Sequence, residues 1–313
     1  MDVLAWLLDS DPAIRWQVMA DLTDQPEESV VAERSKVSTQ GWGARLLSLR
    51  DPDGQWSGGA FFPRTRPETP GQPWTATLFT LVDLKDLGLD PDSQIAQETV
   101  SLIAANSRWE HAGQPFWEGE VEPCINGRTV GLGAYFGQDV DRIVDRLLSE
   151  QMDDGGWNCE QENGSTRGSF HTTINVLEGL LDYEIARGSN PAITSARQRG
   201  ERYLLERGLL RRLSTGEVVD EAWTGFSFPV RWRYDVLRGL DHLRRARVEP
   251  DERIQEAVDL VIDKRDDDGR WPLDRIHPGA VHFHMEAEGE PSRWITLRAL
   301  RVLDWARSPM TKA

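Results

Sequence analysis

The stretch "QMDDGGWNCEQENGSTRGSFHTTINVLEGL", residues 151–180, decides the fold, because its Asp-Gly-Gly-Trp turn has two close counterparts elsewhere in the chain. "DPDGQWSGG" occupies residues 51–59 and "KRDDDGRWPLD" residues 264–274. Each follows a segment with aliphatic residues at helical spacing, "GARLLSLR", "VDRLLSEQ" or "AVDLVIDK", and each leads through a loop into another helical pattern. Asp-Gly is a turn signal, since Asp hydrogen-bonds its own backbone and Gly accepts positive φ. The repeating unit is therefore helix, Asp-Gly-Trp turn, loop, helix. Such units cannot bury their apolar faces alone and must stack on neighbours.

A second signal predicts where the later helix of each unit begins. Proline suits the first helical position, where its missing N–H is one of the unpaired donors anyway. It stands there as Pro12 in "DPAIRWQVMADL", Pro73 in "QPWTATLFTLVDL", Pro123 in "EPCINGRTVGLGAYF", Pro229 in "FPVRWRYDVLRGL" and Pro291 in "EPSRWITLRALRVL". "SFHTTINVLEGL" fills the same place without a proline, which makes six starts spaced 47 to 62 residues apart. With no Gly, Ser or Pro-rich linker and no strand-period run long enough for a sheet, residues 1–313 read as one all-α domain.

Composition excludes several classes of partner. The net charge of −16 makes nucleic acid or an anionic membrane surface an unlikely primary partner. Two cysteines, the start Met1-Asp2 and the lack of a membrane-length apolar run are expected of a cytoplasmic, reduced protein without a membrane span. Thirteen tryptophans exceed what a core of this size requires, and they leave a Trp-lined cavity open.

Helical repeats with these turns resemble the superfamily of squalene and oxidosqualene cyclases and protein prenyltransferase β-subunits. The resemblance covers nearly the whole chain. It implies a single (α/α)6-type toroid, a double ring of helices with substrate in a central cavity at the N-terminal ends of the inner helices. It also implies that Trp56, Trp157 and Trp271 are structural. The Asp-x-Asp-Asp motif of hopene-type cyclases and the Asp-Asp-x-x-Asp of metal-dependent terpene synthases are both missing from suitable places, and the chain is about half the size of a two-domain triterpene cyclase. The prenyltransferase comparison gives more. Those β-subunits hold zinc with an Asp-x-Cys at one inner-helix start and the His of a Tyr-His-Thr at a later one. Here Glu122-x-Cys124 and Phe170-His171-Thr172 take those places, with Cys159 as a substitute ligand. A donor set of O, S and N with one open position suits catalytic zinc. Glu replaces Asp, the 47-residue separation between Cys124 and His171 is short, and "ING" follows the cysteine where the family has aromatic residues. Without a metal, Cys124 reads as a small buried residue and His171 as a group bonded near a helix start.

Other candidates rest on residue type and position. "IHPGAVHFHMEAEGEP" offers His277, His282, His284, Glu286 and Glu288, as a metal site or as acid–base groups. Glu122, Asp220, Glu221, Glu286 and His284 are the catalytic candidates, since burial at a cavity mouth raises a carboxyl pKa. Trp74, Trp117, Arg128, Trp223, Arg231, Trp232, Arg293 and Trp294 are the substrate-binding candidates. Aromatic faces suit a prenyl chain or a developing carbocation, and arginines suit a diphosphate. The expected function is an isoprenoid-active enzyme, cyclase-like or prenyltransferase-like, taking a small hydrophobic substrate with zinc as the possible cofactor. The alternatives are a non-catalytic lipid- or protein-binding helical ring and a carbohydrate-active enzyme on an α/α toroid.

Overall fold

The computed structural model describes residues 2–307. The chain is mostly helical, and the only strands longer than one residue among those described are Trp271–Pro272 and Pro291–Ser292. No helix is long and apolar enough to cross a membrane.

Helices of two sets alternate along most of the chain. One set comprises α2 (Pro12–Leu22), α5 (Thr77–Leu87), α7 (Pro123–Tyr135), α9 (Phe170–Arg187), α11 (Val236–Arg245) and α13 (Arg293–Arg307). Burial runs right round α5 and α7, as expected of helices enclosed by others. The second set, α4 (Gly41–Leu47), α6 (Gln94–Asn106), α8 (Asp141–Ser149), α10 (Pro191–Leu205) and α12 (Gln255–Asp263), buries one face; α8 buries only Ile143, Val144 and Leu147. The short α1 (Val3–Leu8) and α3 (Glu27–Ser35) pack on α2.

Members of the first set meet in succession: α5 on α7, α7 on α9, α9 on α11 and α11 on α13. The sequence-last α13 then packs on α2, where both Arg301 Nη atoms donate to Gln17 Oε1 at 3.1 Å. Helix α2 meets α5 through Trp16 Nε1 to Leu87 O at 2.9 Å and Gln17 Nε2 to Asp86 O at 3.1 Å. One buried apolar cluster extends from Leu7 to Leu303.

The three Asp-Gly-Trp turns join the two sets with one repeated pattern. The indole N–H of Trp56 donates to Leu46 O at 2.8 Å, that of Trp157 to Leu147 O at 2.7 Å, and that of Trp271 to Val261 O at 2.6 Å. Each carbonyl lies in the last turn of its helix, where no intrahelical partner exists. The same tryptophans donate their backbone N–H to Thr77, Thr173 and Thr296, at 3.2, 3.0 and 3.0 Å, near the starts of α5, α9 and α13. Each turn thus ties the end of a helix of the second set to the start of one of the first. Gly54, Gly155 and Gly269 hold φ of 90°, 86° and 79°, the left-handed region that lets the chain double back.

Pro12 and Pro123 begin helices as the sequence predicts, and α9 begins at Phe170. The other three starts lie later. Trp74 N donates to Ala280 O at 2.7 Å, so the chain after Pro73 stays extended until Thr77. Asp235 caps α11, its Oδ1 accepting from Arg238 N at 2.8 Å, six residues past Pro229. Pro291 belongs to a strand paired antiparallel with Trp271–Pro272.

Glycines set the closest helix contact. A Cβ on Gly179 of α9 would stand 2.1 Å from the Gly127 carbonyl oxygen of α7, and one on Gly127 would stand 2.5 Å from Asn175 O. In an uncrowded helix Gly→Ala is stabilising by about 0.5–1 kcal/mol. Gly179→Ala is expected to have the opposite sign, destabilising by about 1–3 kcal/mol because backbone must move. Urea unfolding checks this, and an unchanged or raised midpoint would contradict the close α7–α9 contact.

Candidate active site

A cavity of about 460 Å³ opens where α7 and α9 begin and one face of α5 passes. Phe61, Phe79, Val82, Ile125, Pro229 and Trp232 supply a largely apolar wall. Two polar groupings interrupt it, one in the wall and one at the floor.

The wall grouping joins the first turn of α7 to the loop that follows the Trp157 turn. Glu122 is the N-cap residue of α7, yet its carboxylate makes no capping bond and faces Cys124 instead. Cys124 Sγ lies 3.4 Å from Glu122 Oε2. Cys159 reaches the same place from its loop, with Sγ 3.4 Å from the Thr172 hydroxyl. Donor atoms of Glu122, Cys124 and Cys159 all lie within 4.8 Å of one another, the one such grouping of three among the described residues. The two thiols differ. Hydrogen bonding with Cys124 lowers the Cys159 pKa, and the Thr172 hydroxyl adds to this. Hydrogen bonding to Cys159, burial and the nearby Glu122 raise the Cys124 thiol well above its ordinary value. Cys159 is thus the better thiolate.

His171 lines the same cavity but stands outside that grouping. Its Nδ1 accepts the backbone N–H of Tyr234 at 2.8 Å, and its ring sits edge-on to Trp223 and Trp232. Burial, with Arg233 and Arg238 nearby, lowers its pKa to about 4, so the ring is neutral at pH 7. A neutral imidazole that accepts at Nδ1 carries its proton on Nε2. Metal ligation needs a lone pair there. His171 is therefore a hydrogen-bond donor rather than the third ligand that the sequence suggests, and Cys159 takes that place in the grouping.

The floor is a layer of paired charges. Arg231 Nη1 contacts both Asp83 oxygens at 3.0 and 2.9 Å, with both side chains 6% exposed. Burial outweighs this pairing and raises the Asp83 pKa to about 6. Arg231 holds φ of 55°, an uncommon conformation for a residue with a side chain. In it, the carbonyl meets Arg128 Nη2 while the guanidinium faces Asp83. Arg128 also donates to Asn175 Oδ1 at 2.6 Å. Glu178 takes two bonds from the fully buried Arg238 at 2.8 and 2.7 Å. Burial opposes the charge on Glu178, but Arg238 and Arg128 overcome it and hold the carboxyl well below its ordinary range.

Of the other sequence candidates, Arg128, Arg231 and Trp232 line the cavity. Trp117 and Trp223 are core residues, the latter packed on Phe170 and Tyr234. Trp294 stacks on Phe228, and Arg293 lies over Trp6. Asp220 caps a 3-10 turn at Ala222 N, and Glu221 is exposed within that turn. Trp74, His277, His282, His284 and Glu286 line a separate small pocket behind the Asp83–Arg231 pair. His282 Nε2 pairs with Thr80 Oγ1 at 3.0 Å, and Glu286 accepts from Ser292 Oγ and Arg293 N at the start of α13. Glu288 accepts from Ile276 N at 2.7 Å. Asp83 and Asp86 were not among the sequence candidates. Their signal was present in "TLFTLVDLKDL", where two acids three residues apart share one face of an otherwise apolar helix.

No protein-family model matches this chain, and no curated protein is significantly similar to it.

The His171 shift has a signed consequence. Well above pH 6.5 the ring is neutral in folded and unfolded chains and contributes nothing; as pH falls through 6.5 toward 4 the unfolded chain takes a proton that the folded one refuses. Stability therefore falls with acidification, by on the order of 2 kcal/mol from this residue. His171→Asn keeps an acceptor for Tyr234 N–H but does not titrate. Urea unfolding at pH 7 and 4.5 is expected to show a smaller loss in the variant; equal losses would place the burden on other groups.

Proposed function

We propose that this protein is an enzyme acting on an isoprenoid-sized apolar substrate, built as a closed double ring of helices. The succession of the enclosed helices, with α13 returning to α2, supports the ring. The single observation that carries the functional reading is a largely apolar cavity with Glu122, Cys124 and Cys159 converging in its wall. Its volume lies in the range of small-molecule sites, about 300–1,000 Å³. The prenyl chain lies along Phe61, Phe79, Val82 and Trp232, with its reacting end at the thiols.

The donor set fits zinc. Two sulfurs and a carboxylate are ordinary zinc ligands, and three protein ligands leave one position for substrate. Bound there, zinc would hold an acceptor thiol or alcohol in its deprotonated form. The chain's own residues do the rest. Cys159 is already the more acidic thiol, while Cys124 must lose its proton, so metal affinity rises with pH. His171 Nε2–H supplies a neutral donor to an oxygen of the substrate head. Arg128 and Arg231 are committed to the floor, where they hold Asp83, Asn175 and Glu178 in place.

Metal content of untagged protein is expected to be about one zinc per chain. Cys124→Ala and Cys159→Ala are expected to lose it, and His171→Ala to keep it. A metal-free wild type, or equal loss in His171→Ala, would remove this site. Farnesyl diphosphate is expected to raise the melting temperature where inorganic diphosphate and maltose do not.

A further inference from the structure

A second chamber of about 570 Å³ lies on the far side of the charged floor, toward the C-terminal ends of α5, α7, α9 and α11. Its walls mix aromatic and aliphatic side chains with many charged ones, Lys85, Glu178, Asp182, Asp241 and Arg298 among them, and it is the more polar of the two spaces. Two residues line both this chamber and the apolar cavity: Arg128 and Asp86. Arg128 is bound on both sides, as described. Asp86 is not.

The other carboxylates of this region are all paired. Asp182 takes Lys85 and Arg245, each at 2.6 Å; Asp241 takes Arg244 at 2.9 Å and Arg298 at 3.5 Å; Glu178 takes Arg238; Asp83 takes Arg231. Among the described residues, no hydrogen bond or ion pair reaches the Asp86 carboxyl, although its backbone carbonyl is held by Gln17 of α2. The charged groups around it are Asp83 and Lys85 on its own helix, Arg128 on α7, Glu178 on α9 and Arg298 on α13. Burial outweighs the cations and raises the Asp86 pKa, in keeping with a carboxyl that lacks a direct partner.

We propose that Asp86 is a proton-transfer group set between the two chambers, giving its proton to a group in the apolar cavity and regaining one from water in the polar chamber. In the forward step the carboxyl O–H bond breaks, an O–H or S–H bond forms on an oxyanion or thiolate in the apolar cavity, and a carboxylate remains. Lys85, Arg128 and Arg298 hold that charge until solvent hydronium, relayed by water in the polar chamber, returns a proton. Asp83, one turn earlier, stays tied to Arg231 and does not share this role. The inference stands on Asp86 itself and holds whatever occupies the cluster of Glu122, Cys124 and Cys159.

Carbodiimides test this on the wild-type protein. They add whole to a protonated carboxyl, the proton going to a reagent nitrogen and the carboxyl oxygen to its central carbon. At pH 5, dicyclohexylcarbodiimide entering the apolar cavity and a cationic, water-soluble carbodiimide entering the polar chamber are both expected to label Asp86, as mapped by peptide mass spectrometry. Labelling falls as pH rises. Dodecanol, filling the apolar cavity, is expected to stop the first reagent and leave the second. No adduct at Asp86 with either reagent, or dodecanol stopping both, would overturn the proposal. Labelling by both that dodecanol leaves untouched would support the two-sided carboxyl and overturn the apolar-substrate reading instead.

Discussion

Three indole N–H groups close the same ten-residue span, from Trp56, Trp157 and Trp271 back to Leu46, Leu147 and Val261. Each bond answers a problem common to every helix, the carbonyls of the last turn that have no partner within it. A tryptophan solves it with a donor on a large apolar ring, so the pairing also fills the space between helices. The backbone N–H of the same residue goes to a threonine at the start of the next enclosed helix. One side chain thereby fixes where one helix stops and how far away the next begins. The loop after the turn inherits that fixed anchor, and in one case the loop carries Cys159.

The interior poses the opposite problem. Enclosed helices with charged residues must pair every charge, because an unpaired ion away from water costs several kcal/mol (about 3–5 when one partner is removed). Asn175 organises much of this pairing. Its Oδ1 accepts from Arg128 and Arg238, and its Nδ2 donates to the carbonyls of His171 and Trp232. The amide therefore links α7, α9, α11 and the segment before α11. Arg128, one of its partners, lines both the apolar cavity and the second chamber.

The turns and the all-α class were legible because each rests on short-range chemistry: Asp-Gly bends, leucines at helical spacing, proline at a first turn. The prolines at 73 and 291 misplace helix starts for a reason no local pattern contains, since distant segments hold the chain extended there, while Pro229 lies in a bend and α11 waits for the Asp235 cap. Glu122, Cys124 and His171 do share one cavity, as helix starts facing one mouth should. The role of His171, however, is decided by an N–H from Tyr234, 63 residues away, which sets its tautomer. Trp117 and Trp223 show the same limit from another side. Residue type made them candidates for a substrate wall, and packing placed them in the core instead.

Asp83 and Asp86 show how far one turn of helix can separate two identical groups. Both sit on the same apolar helix, and burial raises the pKa of both. Arg231 can face Asp83 because its backbone takes a left-handed conformation, which costs of order 1 kcal/mol and more for a non-glycine residue. No residue makes the same accommodation for Asp86. Carboxyls with ordinary ion pairs hold structure; Asp86, half-buried where two chambers meet, makes no such pair. A fold under pressure only to be stable would replace Asp86 with leucine, as at Leu84 and Leu87 on the same helix. Its presence is explained by chemistry in the space it faces, and that space is continuous with the wall carrying the two thiols.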